Sequence, residues 1–186
     1  MPDAAPGTKA QIRARMTADA FALHRAGRIR TVEVRGADYM GGQLGNNAHV
    51  PRVIPAALQG KHVRVIGNAD LPHTWTDVHD MGRALVAVAD RESAWGRVWH
   101  APSNAPRTQA EAVNDVLASV GRPAVRVTAY PKALLRVAGL FDGQMRELRE
   151  TEYQFTRPYV MDSSAITTEL GLQATPWEEV CRRTAG

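Results

Sequence analysis

The sequence predicts an α/β fold. Two observations carry this: helix-period segments and short β-branched runs succeed one another along most of the chain, and glycine-containing turns fall at the joins. A third sets the scale, because 186 residues, 44% hydrophobic and 23% charged, suit one ordinary globular domain with a sizeable core.

Ile12, Met16, Ala20 and Leu23 recur at helical spacing within residues 9–26 and Gly27 stops the run. An amphipathic helix is expected there, with Arg13, Arg15, Asp19 and Arg25 on its solvated side. Residues 29–35 alternate and are β-branched, as a strand does. Residues 36–47 hold four glycines and the pair Asn46-Asn47, and read as a loop at a strand end, where sites are commonly built. A short helix over 53–58 ends at Gly60, 62–66 reads as a second strand, and 67–72 is turn chemistry. Met81, Leu85, Val86 and Ala89 mark a helix over 78–90, followed by a strand at 97–100. Thr108-Gln-Ala-Glu111 is a capping box opening a helix that stops at Gly121. Thr175-Pro-Trp-Glu178 reads as a second box, with Pro176 at the first helical position. From about Ala129 the pattern turns almost wholly helical, so an α/β region over 1–128 and a mainly helical subdomain over 129–186 are expected.

The 23 Lys and Arg are interspersed with 19 acids, for a net charge of +4, and few aromatics interleave with them. Nucleic acid is therefore not an expected partner, whereas an anionic small molecule suits the excess. No apolar run is long enough to span a bilayer and the first residues lack the features of a signal peptide, so the expectation is a cytoplasmic protein without a membrane partner. The single cysteine, Cys181, rules out an internal disulfide and is expected to be a buried structural thiol.

Four motifs follow one another along the chain: Arg35-Gly-Ala-Asp38-Tyr-Met-Gly41-Gly42, His73-Thr-Trp-Thr-Asp-Val78-His-Asp80-Met-Gly82, Trp99-His-Ala-Pro, and an ending from Met161-Asp-Ser-Ser-Ala to Glu169-Leu-Gly-Leu-Gln-Ala-Thr-Pro-Trp-Glu178. In that order they resemble the second half of the NAD-dependent epimerase/dehydratase family, the extended short-chain dehydrogenases/reductases, over nearly the whole chain. Where that family reads Arg-x-x-Asn-x-Tyr-Gly-Pro and Arg-Asp-Phe-x-x-Val-Asp-Asp-Val-Ala, this chain has Asp38 for Asn, Gly42 for Pro and His73 for Arg.

The resemblance implies the C-terminal part of a Rossmann-like parallel sheet with a mainly helical substrate-binding subdomain. It also implies NAD or NADP as cofactor, not bound by this chain alone, and action on a secondary alcohol or carbonyl of a sugar-type small molecule. The glycine-rich strand–turn–helix that holds a dinucleotide is expected to be missing: Gly41–Gly45 precedes Asn46-Asn-Ala-His-Val-Pro, not a helix start, and matches the family's substrate-facing loop. Besides the small molecule, a second copy of the chain as homodimer or a separate N-terminal half is the expected partner. A non-catalytic binding module derived from the family, or a truncated gene product, is the alternative.

In the family a Tyr-x-x-x-Lys pair works on the substrate, the lysine lowering the phenol's pKa and bonding the nicotinamide ribose. Lys9 matches that lysine and Ala5 stands where the tyrosine would be, so the acid/base lies elsewhere, is divergent, or belongs to a missing part. Lys9 and Arg35 are the residues implied for the cofactor, with Lys9 the one catalytic candidate. Asp38, Tyr39, Met40, His49, Arg52, His73 and Trp75 are expected to meet substrate, His73 in the place of an arginine that contacts substrate phosphate. Tyr153, Phe155 and Arg157 would complete the pocket from the helical part. His73, Asp77, His79 and Asp80 read as a helix start in which Asp80 complements the N-terminus, not as a metal set.

Overall fold

The computed structural model describes residues 8–131 and 152–186, without the side chains of Lys9 and Glu152. The described elements are α1 (Thr8–Arg25), β1 (Glu33–Arg35), β2 (Asp38–Met40), α2 (Ile54–Leu58), β3 (Val63–Val65), β4 (Trp75–Asp77), α3 (Val78–Ala89), β5 (Val98–His100), α4 (Gln109–Ser119), β6 (Val127–Ala129), α5 (Ser164–Leu170) and α6 (Trp177–Ala185). The six strands pair two by two, β1 with β5, β2 with β4 and β3 with β6, and every pair is parallel. Parallel neighbours need a crossover, and each of these three connections contains at least one helix, which is the α/β architecture expected.

Two apolar clusters hold the layers together. The larger gathers Met40 of β2, Val50, Ile54 of α2, Val63 of β3 and Trp75 of β4 with Val113, Val116 and Leu117 of α4, Phe155, and Val180 and Cys181 of α6. The smaller packs Ala84 and Val88 of α3 and Ile166 and Leu170 of α5 around Trp99 of β5. Trp99 is closed over by the Arg97 guanidinium, 4.1 Å from its ring centroid, and its indole donates to Ala94 O at 3.0 Å.

Local chemistry accounts for several boundaries. Thr108 Oγ1 accepts from Glu111 N at 3.0 Å and Glu111 Oε2 accepts from Thr108 N at 2.8 Å, the reciprocal cap expected for α4. The second expected box does not form. Pro176 is the N-cap of α6 with no side-chain bond, and the Thr175 hydroxyl is turned toward Asp80, donating to its Oδ1 at 2.6 Å. Asp77, not Asp80, caps α3, its Oδ1 accepting from His79 N at 2.6 Å.

Other expectations are corrected too. The strand read over 29–35 is regular only at β1. Within the stretch read as a loop, Asp38–Met40 forms β2, a strand defined by its partner β4 and too short to show a period of its own. The apolar face expected of α1 is only partly covered: Ile12 is 53% and Met16 65% exposed, Ala20 and Leu23 are half-buried, and Phe21 supplies the helix's buried contact. Nothing among the described residues covers the Ile12–Met16 side. The boundary expected at 128/129 falls at the end of β6, and much of the helical part to follow, residues 132–151, lies outside the described residues. Among the described residues no helix is long and apolar enough to cross a membrane.

Candidate functional site

The pairing of β2 with β4 sets the site. Asp38 stands opposite Trp75, and His73, two residues before Trp75, falls on the same face of the extended backbone. Residue 73 is fixed from both sides: its N–H donates to Arg107 O at 3.1 Å and its carbonyl accepts from Arg107 N at 2.9 Å, while Thr74 N donates to Tyr159 O at 2.8 Å. The His73 ring, 2% exposed, therefore has one place to go. It stacks on Phe155 at 4.9 Å and on Tyr159 at 5.1 Å, tilts against Trp75 at 4.5 Å, and its Nε2 donates to Asp38 Oδ2 at 2.7 Å.

Phe155 continues the cluster. Its ring meets His49 edge-on at 3.9 Å, and His49 Nδ1 lies 2.6 Å from Arg52 Nη2. A guanidinium only donates, so His49 accepts through Nδ1 and carries its proton on Nε2. Burial pushes the His49 pKa from 6.5 down to about 4, the Asp38 charge opposing and Arg52 and His73 reinforcing the fall. His49 is thus neutral at physiological pH. Arg52 is also pulled down by burial, against the charges of Tyr130 and Asp38, but a guanidinium stays cationic at neutral pH.

A pH dependence follows. The unfolded His49 takes up a proton near its ordinary 6.5 and the folded one only near 4, so stability is full above pH 6.5 and falls as pH drops from 6.5 to 4. The loss through this group is up to about 3 kcal/mol. Urea melts at pH 7 and pH 4.5 should show it, and His49→Gln should flatten the difference.

Asp38 is the electrostatic centre of the group: its charge raises Tyr39 and Tyr159, both pushed up first by burial, and acts on His49 and Arg52. Neither tyrosine is poised as a phenolate. The Tyr39 ring lies over Gly36, where a Cβ would come within 3.1 Å of its hydroxyl. Met40 and Trp75 are core side chains, the Trp75 indole donating to Arg107 O at 3.0 Å; they back the site instead of lining it. Tyr153 is 40% exposed beside Tyr159, whose pKa its charge also raises, and Arg157 is exposed.

The structure thus brings together Asp38, His49, Arg52, His73 and Phe155, and adds Tyr159 and Tyr130, which sequence reasoning missed. The one sign of Tyr159 in the sequence is the preceding Pro158, which favours the extended backbone that bridges to residue 73.

Arg35 sits elsewhere. Its Nε donates to Glu33 Oε1 at 2.7 Å, and it lines a cleft of about 820 Å³ between α1 and the β1–β5 pair with Arg13, Phe21, His100, Tyr159 and Asp162. Tyr159 is the shared wall between this cleft and the His73 cluster. Lys9 lies in the first turn of α1, its side chain outside the described residues, as is Ala5. The Gly41–Gly45 turn is committed to packing: Gly41 N donates to Thr184 Oγ1 at 2.9 Å, and a Cβ at Gly42 would stand 3.2 Å from Arg183 O. Cys181 is buried and its thiol pushed up to about 12 by that burial, with the Asp115 charge adding, so it is an unreactive core thiol as expected.

No protein-family model matches the sequence, and no curated protein does. Solved structures do match in fold. dTDP-glucose 4,6-dehydratase from Bacillus anthracis, in complex with NAD, superposes with a TM-score of 0.71 at 15% identity, over 98% of this chain and 52% of that one. The dTDP-glucose 4,6-dehydratase from Streptomyces venezuelae, a double mutant with NAD bound, gives 0.67 at 19% identity over 94% and 49%. UDP-glucose 4-epimerase from Thermotoga maritima, with UDP-glucose, gives 0.66 at 15% identity over 95% and 50%. The chain has the α/β, Rossmann-like fold of these proteins and spans about half their length.

Proposed function

We propose that this chain is the substrate-side portion of an NAD(P)-dependent oxidoreductase of the epimerase/dehydratase type, acting on a secondary alcohol or carbonyl of a sugar-type small molecule. The observation that carries the reading is the meeting, at Tyr159, of the cleft holding Arg35 with the cluster of Asp38, His49, Arg52 and His73. The ordered motifs and the fold likeness to two NAD-bound dehydratases and an epimerase support it.

The residues have distinct parts in it. Asp38, oriented by His73, is the carboxylate that receives a hydrogen bond from a substrate hydroxyl; Arg52 and His49 present donors, and Phe155 and Tyr159 shape the apolar wall. Tyr153 closes the rim. When bound, NAD or NADP would supply hydride transfer. The described residues fit only part of that cofactor, because the cleft beside Arg35 has the volume of a ligand pocket but the chain's glycine turn is packed against α6 and cannot cradle a pyrophosphate. Cofactor binding therefore needs a dinucleotide-binding part besides these residues, whether a separate half or more of the same protein. A second reading, a ligand-binding module without catalysis, is favoured by Ala5 at the position where the resemblance expects tyrosine.

Thermal melts test the proposal. A sugar-type ligand at a hundredfold excess over its Kd should stabilise the chain by about 2.7 kcal/mol, a rise of several degrees in midpoint. NAD or NADP alone should leave the midpoint unmoved. Tight binding of either by the chain with no response to any sugar would contradict the assignment of the substrate side to this chain.

A further inference from the structure

The charges within the cluster define what it can hold. Arg52 is half-buried, forms no ion pair among the described residues, and gives its one described hydrogen bond to the neutral His49. The Asp38 charge acts on this guanidinium without touching it, so its hydrogen-bonding edge meets only a neutral ring and no contacting anion among the described residues. His49 adds a donor, since its Nδ1 is taken by Arg52 and its proton is on Nε2. Asp38 presents the opposite character: Oδ2 is held by His73, and Oδ1 has no partner among the described residues. The cluster therefore sets a cation with a donor at one end and a carboxylate acceptor at the other, joined across the Phe155 ring.

A neutral sugar would leave Arg52 without a contacting anion among the described residues. A nucleoside diphosphate sugar brings at least two negative charges to a cluster whose formal charges cancel, and the one free carboxylate would repel it. The position where the resemblance expects a phosphate-contacting arginine is held by His73, whose Nε2 is already committed to Asp38. One negative charge together with hydroxyl donors satisfies both ends.

We infer that the pocket takes a small polyhydroxylated monocarboxylate, with the ligand carboxylate on Arg52 and His49 and a ligand hydroxyl donating to Asp38. The inference rests on reading this cluster as the substrate pocket. It separates this chain from the nucleotide-sugar chemistry named for the structures it resembles.

Isothermal titration of the full chain with D-glucuronate, D-gluconate, D-glucose and UDP-glucose tests it. The two acids should bind more tightly than glucose, and UDP-glucose no more tightly than glucose. Arg52→Met should weaken the acids by about ten- to a hundredfold and glucose by clearly less, with Arg52→Lys recovering part of the loss; melts confirm that both variants are folded. Unchanged affinity of Arg52→Met for glucuronate overturns the inference. UDP-glucose binding more tightly than the acids, in a manner lost in Asp38→Asn, overturns it while keeping the substrate pocket. Absence of binding by all four ligands overturns the inference and the pocket together.

Discussion

Asp80→Ala is expected to lower the unfolding free energy by about 3–5 kcal/mol. Asp80 is 1% exposed and lies in the first turn of α3. Its Oδ1 accepts from Arg83 Nη2 at 2.6 Å and from the Thr175 hydroxyl at 2.6 Å, and its Oδ2 accepts from Thr175 N at 2.6 Å. The carboxylate thus ties the start of α3 to the entry of α6, and Arg83 extends the tie to Gln173 O at 2.7 Å. Removing it strands a backbone donor and a hydroxyl in the interior and releases α6, which packs against α4 and β2. Asp80→Asn keeps the shape and some acceptor capacity, so it should lose less. Chemical denaturation of the three proteins checks the order, and equal stability of Asp80→Ala and wild type would refute the tie.

Gly67→Ala is expected to cost about 3 kcal/mol or more, from two sources. Gly67 has φ +77°, a conformation that L side chains rarely adopt, and its added Cβ would fall on the Cβ and carbonyl oxygen of Phe155. That carbonyl accepts from Asn68 N at 2.7 Å, so backbone is pressed against backbone and cannot yield cheaply. Gly60 separates the two sources: its φ is +74°, but nothing lies within 4 Å of the added Cβ. Gly60→Ala should therefore show only the left-handed penalty, about 1–2 kcal/mol. Any tolerated Gly67→Ala would also displace the Phe155 ring and shift the ring resonances of His49 and His73. Equal costs at the two glycines would show that Phe155 is not held where the packing puts it.

The sequence made the elements with their own periodicity legible. α3 and α4 announce themselves through apolar spacing and, for α4, through Thr108 and Glu111. β2 and β4 do not, because each spans three residues and exists through its partner. Thr175 shows how a local rule is overridden: its hydroxyl could have accepted from α6, but donation to a buried carboxylate 95 residues away sets its direction. α1 shows the limit of periodicity, since a regular apolar spacing says which side could be covered and not what covers it.

The site was readable in part. Asp38 and His73 stood out as departures from the family pattern, but their bond depends on the register of β2 and β4, which one-dimensional reading does not supply. His49 and Arg52 were legible as polar residues in a glycine-rich region, not as a neutral acceptor and its donor. Tyr159 was missed because its part is structural context: a bridge that pins residue 73 and a ring that stacks on it.

Chemical-shift mapping on the full chain tests the central claim most directly, since the claim is a place. With glucuronate, glucose and UDP-glucose added in turn, the largest ligand-induced changes should fall on the side chains of His49, Arg52 and His73 and on the amides of Asp38 and Tyr159. Changes confined to the groove of Arg107, Asp115, Trp177 and Cys181, or absent with every ligand, would contradict it.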